Sequence, residues 1–220
     1  MSARPFYEEL KRGAAALGLD LDAKQLDQLL DYLELLQKWG KVYNLTSVRE
    51  PAEMLTHHLL DSLAIVLPLE AQITKLRLAD RVGLLDVGSG AGLPGVVVAV
   101  CCPGVDVSCV DTVGKKAAFI QQAALSLRLP NLKGIHARVE NLPGEYDVVV
   151  SRAFASLLDF THLSSRQMAP GAVWLAMKGK QPDAELADLP ATVQVFHVEQ
   201  LVVPGLDAER CLVWMKSVAT

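Results

Sequence analysis

Hydrophobic spacing changes along the chain near Asp80. Before that point apolar positions recur every three to four residues, the period of an amphipathic helix. Leu26, Leu29, Leu30, Leu33, Leu36 and Trp39 form one such stripe. Asp20 or Asp22 can cap its start, and Gly40 stands near its end. The stretch 43–47 reads as a loop. Pro51 opens a second helix, expected over 51–67, with Met54, Leu55, His58, Leu59, Ser62 and Leu63 at helical spacing and Pro68 as its stop.

Beyond residue 82 the chain alternates strand and helix. Short apolar strands are expected at 83–87, 105–110, 134–137, 146–151 and 172–178, with helices from 96 and over 115–129. Two late strands, 192–198 and 211–216, can pair as an antiparallel hairpin. Apolar strands separated by helix-length segments predict a parallel sheet covered on both faces. The expected class is α/β, with residues 1–80 as a helical extension packed on a sheet domain of residues 81–220.

Composition narrows this picture. The chain has 220 residues, 51% hydrophobic and 21% charged, which rules out disorder. At this length folding buries roughly 70% of the unfolded surface, so the core needs no covalent staple. The longest apolar run, 92–102, is broken by Pro94 and Gly95. A membrane-spanning helix needs about 18–20 apolar residues, so none is expected. Glu8 and Glu9 stand where a signal peptide would carry its apolar core, which predicts a cytoplasmic protein. Cys101, Cys102, Cys109 and Cys211 lack C-x-x-C spacing and suitably spaced His partners. They predict buried thiols, with no disulfide framework and no metal site.

The formal net charge of −4 argues mildly against a nucleic-acid partner. Its distribution weakens that argument. Residues 1–80 hold 9 Lys+Arg against 12 Asp+Glu, whereas residues 81–220 hold 12 against 13. The second part is nearly neutral, and its Arg138, Arg152, Lys178 and Arg210 fall at or after predicted strand ends. Arg4, Lys11 and Arg12 are too sparse to form a binding arm.

Asp86-Val87-Gly88-Ser89-Gly90-Ala91-Gly92-Leu93-Pro94-Gly95 follows a strand and precedes a helix. Glycines there allow a tight turn and close ligand approach. The spacing is G-x-G-x-G, with an acid two positions ahead. Leu93 occupies the place of the third glycine in a dinucleotide fingerprint, and no G-x-x-x-x-G-K-[ST] is present. Asp111 ends the second strand, where an acid can accept both hydroxyls of a ribose. It can equally cap the following helix. Arg138-Val139-Glu140 follows the third strand, beside an adenine position, although alone it reads as a solvated charge cluster. The loop favours S-adenosylmethionine, with NAD and a purely structural turn as alternatives. An RNA-binding protein without cofactor would leave Asp86, the loop and Asp111 without a purpose.

Further segments occur in order: 38–47, His58-Leu59-Leu60-Asp61-Ser62, Asp111-Thr112-Val113-Gly114-Lys115-Lys116, Ser151-Arg152-Ala153-Phe154-Ala155-Ser156, Lys178-Gly179 and Leu206-Asp207-Ala208-Glu209-Arg210. With the glycine loop and Arg138-Val139-Glu140, they resemble the bacterial small-subunit ribosomal RNA guanine-N7 methyltransferase family RsmG, also called GidB, over residues 25–216. The resemblance implies a Rossmann-like class I S-adenosylmethionine-dependent methyltransferase sheet with a small helical N-terminal extension. It implies N7 methylation of one guanine, nucleotide 527 in the family, in the decoding region of 16S ribosomal RNA. The family's cofactor site falls on Gly88, Leu93, Val139, Glu140 and Arg152, and its ribose position on Asp111. Asp86, Gly90 and Gly92 complete the expected cofactor set. Arg138, Arg152, Lys178 and Arg210 are the expected substrate-positioning residues. The expected partner of a monomeric protein is 16S RNA, free or within an assembling particle.

The chemistry agrees with this residue set. Guanine N7 carries an exposed lone pair and needs no deprotonation, so no general base is required. Ser151-Arg152-Ala153-Phe154 stands where exocyclic-amine methyltransferases carry a D/N/S-P-P-aromatic motif. Phe154 can stack on the target base or pack in the core. His58 and Asp61, three apart on one helix, favour packing of the N-terminal helices against the sheet over RNA contact.

Overall fold

A computed structural model describes residues 4–43, 45–76, 81–152 and 154–218. Asn44 of the expected loop, the boundary residue Asp80 and Ala153 of the Ser151–Ser156 segment lie outside the described residues.

Helix α1 spans Tyr7–Ala16 and α2 spans Ala23–Tyr43. The cap of α2 is Asp22, whose Oδ1 accepts from Gln25 N (2.8 Å) while Gln25 Oε1 accepts from Asp22 N (3.0 Å). This reciprocal pair satisfies two donors at the helix start. Gly40 does not end the helix, which runs three residues further. Arg4 ties the chain start to α2 through Asp31 (2.6 Å) and Glu34 (3.0 Å).

The second expected helix is instead a series: α3 (Pro51–Met54), a π-helical turn (Leu55–Leu60), α4 (Asp61–Leu63) and α5 (Val66–Leu76). Pro68 does not stop a helix. It sits in the first turn of α5, where its missing N–H is one of those lacking a helical partner anyway. Among the described residues no helix is long and apolar enough to cross a membrane.

The described residues form a seven-stranded sheet of order β3-β2-β1-β4-β5-β7-β6. Its strands are β1 (Val82–Val87), β2 (Val105–Asp111), β3 (Leu132–His136), β4 (Tyr146–Arg152), β5 (Met168–Lys178), β6 (Val193–Leu201) and β7 (Arg210–Ser217). The first five are parallel, while β7 runs antiparallel to both β5 and β6. Helices α6 (Gly95–Cys101) and α7 (Gly114–Ser126) follow β1 and β2. Two helices were not anticipated from the sequence: α8 (Leu157–Ser164) and α9 (Asp183–Ala187).

Strand side chains alternate between faces. Leu84, Val148, Val150 and Trp214 join one apolar cluster with Leu29, Leu33 and Leu36 of α2 and with α6 and α7. Leu85, Val149 and Val213 join a second cluster with Leu157 and Phe160 of α8. Both faces are covered, which is why these strands read as continuous apolar runs. The order in which successive parallel strands are laid down reverses between β1 and β4, leaving a crevice at their carboxyl ends. Because β7 is antiparallel, its first residue, Arg210, lies beside that same end, near Lys178 of β5.

Candidate functional site

The glycine loop connects β1 to α6. Gly88 and Gly90 adopt φ of 65° and 59°, a region that disfavours side chains. A Cβ at Gly90 would meet nothing within 4 Å, so the bare backbone faces open space there. Three side chains hold the loop. Asp111 Oδ2 accepts from Gly90 N (2.9 Å), Asp86 Oδ2 accepts from Gly95 N (2.8 Å), and Tyr32 Oη of α2 donates to Ala91 O (2.8 Å). Asp86 is fully buried. Burial pushes its carboxyl up to about 7, against the opposing pull of the Gly95 N–H and the Arg152 charge. A Cβ at Gly95 would overlap Cys109 Sγ and lie 2.9 Å from Asp86 Oδ2, so glycine lets α6 start hard against β2.

A cavity of about 460 Å³ opens beside the loop, lined in part by Gly88, Asp111, Arg138, Val139, Glu140 and Phe154. Asp111 is nearly buried, and its Oδ1 also accepts from Val113 N (2.8 Å). A carboxylate offers about four lone pairs, so both oxygens can take a further donor. Phe154 packs on Phe160 at 5.6 Å between centroids and faces Gly88. A bare glycine backbone, an acidic acceptor at the end of β2 and an aromatic wall fit an adenosyl-sized group.

A second cavity, of about 410 Å³, lies at the ends of β4 and β5 and the start of β7. It brings together His57, His58, Asp61, Arg152, Lys178 and Arg210. Arg152 Nη1 donates to Asp61 Oδ2 and to His57 O, both at 3.1 Å. Arg210 Nε donates to Asp61 Oδ1 (2.7 Å). Lys178 Nζ pairs with Glu185 of α9 (2.8 Å) and donates to Phe154 O (3.4 Å). Burial, reinforced by the Arg152 charge, pulls His58 down to about 4, so its ring is neutral at pH 7. Its Nε2 lies 2.8 Å from Thr46 Oγ1.

The sequence model of GidB, described as rRNA small subunit methyltransferase G, matches residues 25–213. The chain belongs to the rRNA small subunit methyltransferase G family. A ribosomal RNA small subunit methyltransferase G of Acidovorax sp. (strain JS42) is 65% identical, with 100% of this chain and 99% of the relative covered. The one of Acidovorax ebreus (strain TPSY) is 66% identical over 96% and 95%. A SAM dependent methyltransferase from Aquifex aeolicus shares the fold at TM-score 0.54 and 18% identity, covering 80% of this chain and 97% of that one. TrmN from Thermus thermophilus does so at TM-score 0.54 and 16% identity, covering 74% and 53%. The fold is the Rossmann-like class I methyltransferase fold, and S-adenosylmethionine is the methyl donor of this methyltransferase.

In this member of the family the expected site residues divide between the two cavities. Gly88, Asp111, Val139 and Glu140 line the first. Asp86, Gly90, Gly92 and Leu93 lie in or beneath the loop and set its shape; Asp86 and Leu93 are buried. Arg152, expected in both the cofactor and substrate sets, lines the second cavity with Lys178 and Arg210. Arg138, expected with those three cations, lines the first cavity instead, because β3 lies across β2 and β1 from β4. Sequence reasoning missed Tyr32 and Glu185. Tyr32 sits within a leucine stripe and looks like core. Glu185 lies in a stretch without apolar period, so nothing marked it.

Proposed function

We propose that this methyltransferase acts on N7 of a single guanine in the decoding region of 16S ribosomal RNA, nucleotide 527 in the family. One observation carries the reading: Phe154 lines the Asp111 cavity while its carbonyl accepts from Lys178 of the Arg152–Arg210 cavity, so the two cavities adjoin at the carboxyl ends of the parallel strands. S-adenosylmethionine would supply an electrophilic methyl carbon there, to which the N7 lone pair bonds in line as the C–S bond breaks and the neutral thioether leaves. Catalysis then reduces to positioning.

Asp111 accepts the ribose hydroxyls, and Gly88, Val139 and Glu140 line the adenosyl position. Asp86, Gly90, Gly92 and Leu93 hold the loop in shape. The ring of Phe154 offers a stacking face to a base drawn out of its RNA stack. Arg152, Lys178 and Arg210 hold the nucleotide, and Arg138, exposed beside the first cavity, meets an RNA phosphate. Residues 1–80 act as a helical extension of the 81–220 domain. The chain works as a cytoplasmic monomer. Its charge of −4 predicts weak non-specific RNA affinity and a need for a shaped substrate, free 16S RNA or an assembling particle.

The test is mass mapping of methylated guanines in ribosomal RNA from cells with and without this chain. One N7-methylguanine in 16S RNA is expected to disappear with the chain. An unchanged map refutes the reading.

A further inference from the structure

Asp61 lies in the wall of the second cavity with its carboxylate divided between two arginines. Arg152 Nη1 takes Oδ2 at 3.1 Å, and Arg210 Nε takes Oδ1 at 2.7 Å. The arginines belong to β4 and β7, which are separated by β5. Neighbouring strands lie about 4.8 Å apart, so the two backbones are roughly 10 Å apart. Asp61 comes from neither strand. It opens α4, directly after the π-helical turn whose His57 carbonyl takes the second Arg152 bond. The Asp61 side chain is only 4% exposed, whereas those of Arg152 and Arg210 are 21% and 23% exposed. Among the described residues Arg152 bonds through Nη1 alone and Arg210 through Nε and Nη1. Each guanidinium keeps free N–H groups for a ligand.

We propose that Asp61 is a positioning residue for the RNA substrate: it ties Arg152 and Arg210 into one fixed pair of donors and offsets part of their charge. The inference rests on the guanine-N7 reading above. Two untethered arginines would lose rotamer freedom when they captured a nucleotide, whereas a tethered pair has lost it already. The charge balance serves the same chemistry. Methylation at N7 makes the base cationic, and an uncompensated cluster of Arg152, Arg210 and Lys178 would oppose it. Asp61 and Glu185 offset two of these three charges. The residual positive charge suits a phosphate and tolerates a cationic product.

Asp61→Asn in the full-length chain tests this. The amide keeps the volume but loses the charge and one of the two acceptor oxygens. The substrate is 16S RNA from cells lacking the chain, free and in isolated small subunits. The expected result is S-adenosylmethionine affinity within twofold of wild type by calorimetry, with kcat/KM for RNA lowered at least tenfold. RNA kinetics within twofold of wild type overturn the proposal. So does a parallel loss of cofactor affinity, which would make Asp61 a residue of the fold alone. If the single variant does not fold, the pair Asp61→Asn/Arg210→Gln removes the buried carboxylate along with one of its two cations. Relative to Arg210→Gln alone, in which Asp61 still holds Arg152, it should lose at least a further threefold in kcat/KM for RNA at unchanged S-adenosylmethionine affinity, because Arg152 is then released as well. A double variant as fast as Arg210→Gln alone overturns the proposal. Wild-type protein that leaves guanine N7 unmethylated refutes the function itself, whereas an active wild type with an unaffected Asp61→Asn refutes only this role.

Discussion

Asp86 makes stability of this fold depend on pH in a direction opposite to that of most carboxylates. Its side chain is fully buried between β1 and α6, where one oxygen accepts from Gly95 N and the other, Oδ1, has no hydrogen-bond partner among the described residues. Burial raises its folded-state pKa to about 7, against 3.8 for a free aspartate. Between those values the native state holds a proton that the unfolded chain has released. The contribution of Asp86 to stability therefore falls as pH rises, by about 1.4 kcal/mol per unit, whereas neutral His58 contributes with the opposite sign between about pH 4 and 6.5. The stabilisation is complete below about pH 4 and is lost by about pH 7, a difference of roughly 4 kcal/mol. Asp86→Asn mimics the protonated side chain at every pH, so it removes this dependence. Urea unfolding of both proteins at one-unit intervals from pH 4 to pH 8 reads the difference directly. The stability of Asp86→Asn relative to wild type should rise across that window, and any fixed cost of the amide cancels because it does not vary with pH. Parallel stability curves for the two proteins would refute the argument.

Three further outcomes follow from the loop. Tyr32→Phe strips a buried donor from Ala91 O, which costs about 1–2 kcal/mol. For a chain of this length that lowers Tm by roughly 2–8 °C, and an unchanged melt would show that α2 does not brace the loop. Asp111→Ala removes an acceptor from the ribose, worth about 1.5–3 kcal/mol for a charged partner. S-adenosylmethionine affinity by calorimetry should fall roughly 10- to 150-fold, and unchanged binding removes that role. Gly95→Ala overpacks the contact with Cys109 and should cost about 1–3 kcal/mol in urea unfolding. Adding Cys109→Ala should recover part of that loss; no recovery would place the strain elsewhere.

The sequence was most legible where one element dictates its own neighbours. The leucine stripe of α2, the strands of the sheet, the late hairpin and the strand–glycine loop–helix unit all follow from local period and turn chemistry. It was least legible where a local signal was overridden. Pro68 looks like a stop, yet a proline is also tolerated in a helix's first turn, and only packing of α5 selects that role. The helix expected over 51–67 is broken by a π-helical turn, which hydrophobic spacing alone does not reveal. At the site, Gly88, Asp111, Val139 and Glu140 could be grouped because all follow strands next to one another in the order β3-β2-β1. Arg138 and Arg152 carry the same charge after successive strands, but the crossover from β3 to β4 separates them.

The sequence alone determined the α/β class and the cofactor loop, because these rest on residues a few positions apart, and the family, because its short motifs recur in a fixed order along the chain. The tertiary structure decided the rest. It placed Tyr32 beneath the loop, Glu185 on Lys178, and Asp61 between two arginines from strands that are not neighbours. Such contacts join residues 59 to 149 positions apart, apart from the short span to Glu185. No local pattern encodes them. They exist only once strand order and the direction of β7 bring those side chains to one end of the sheet.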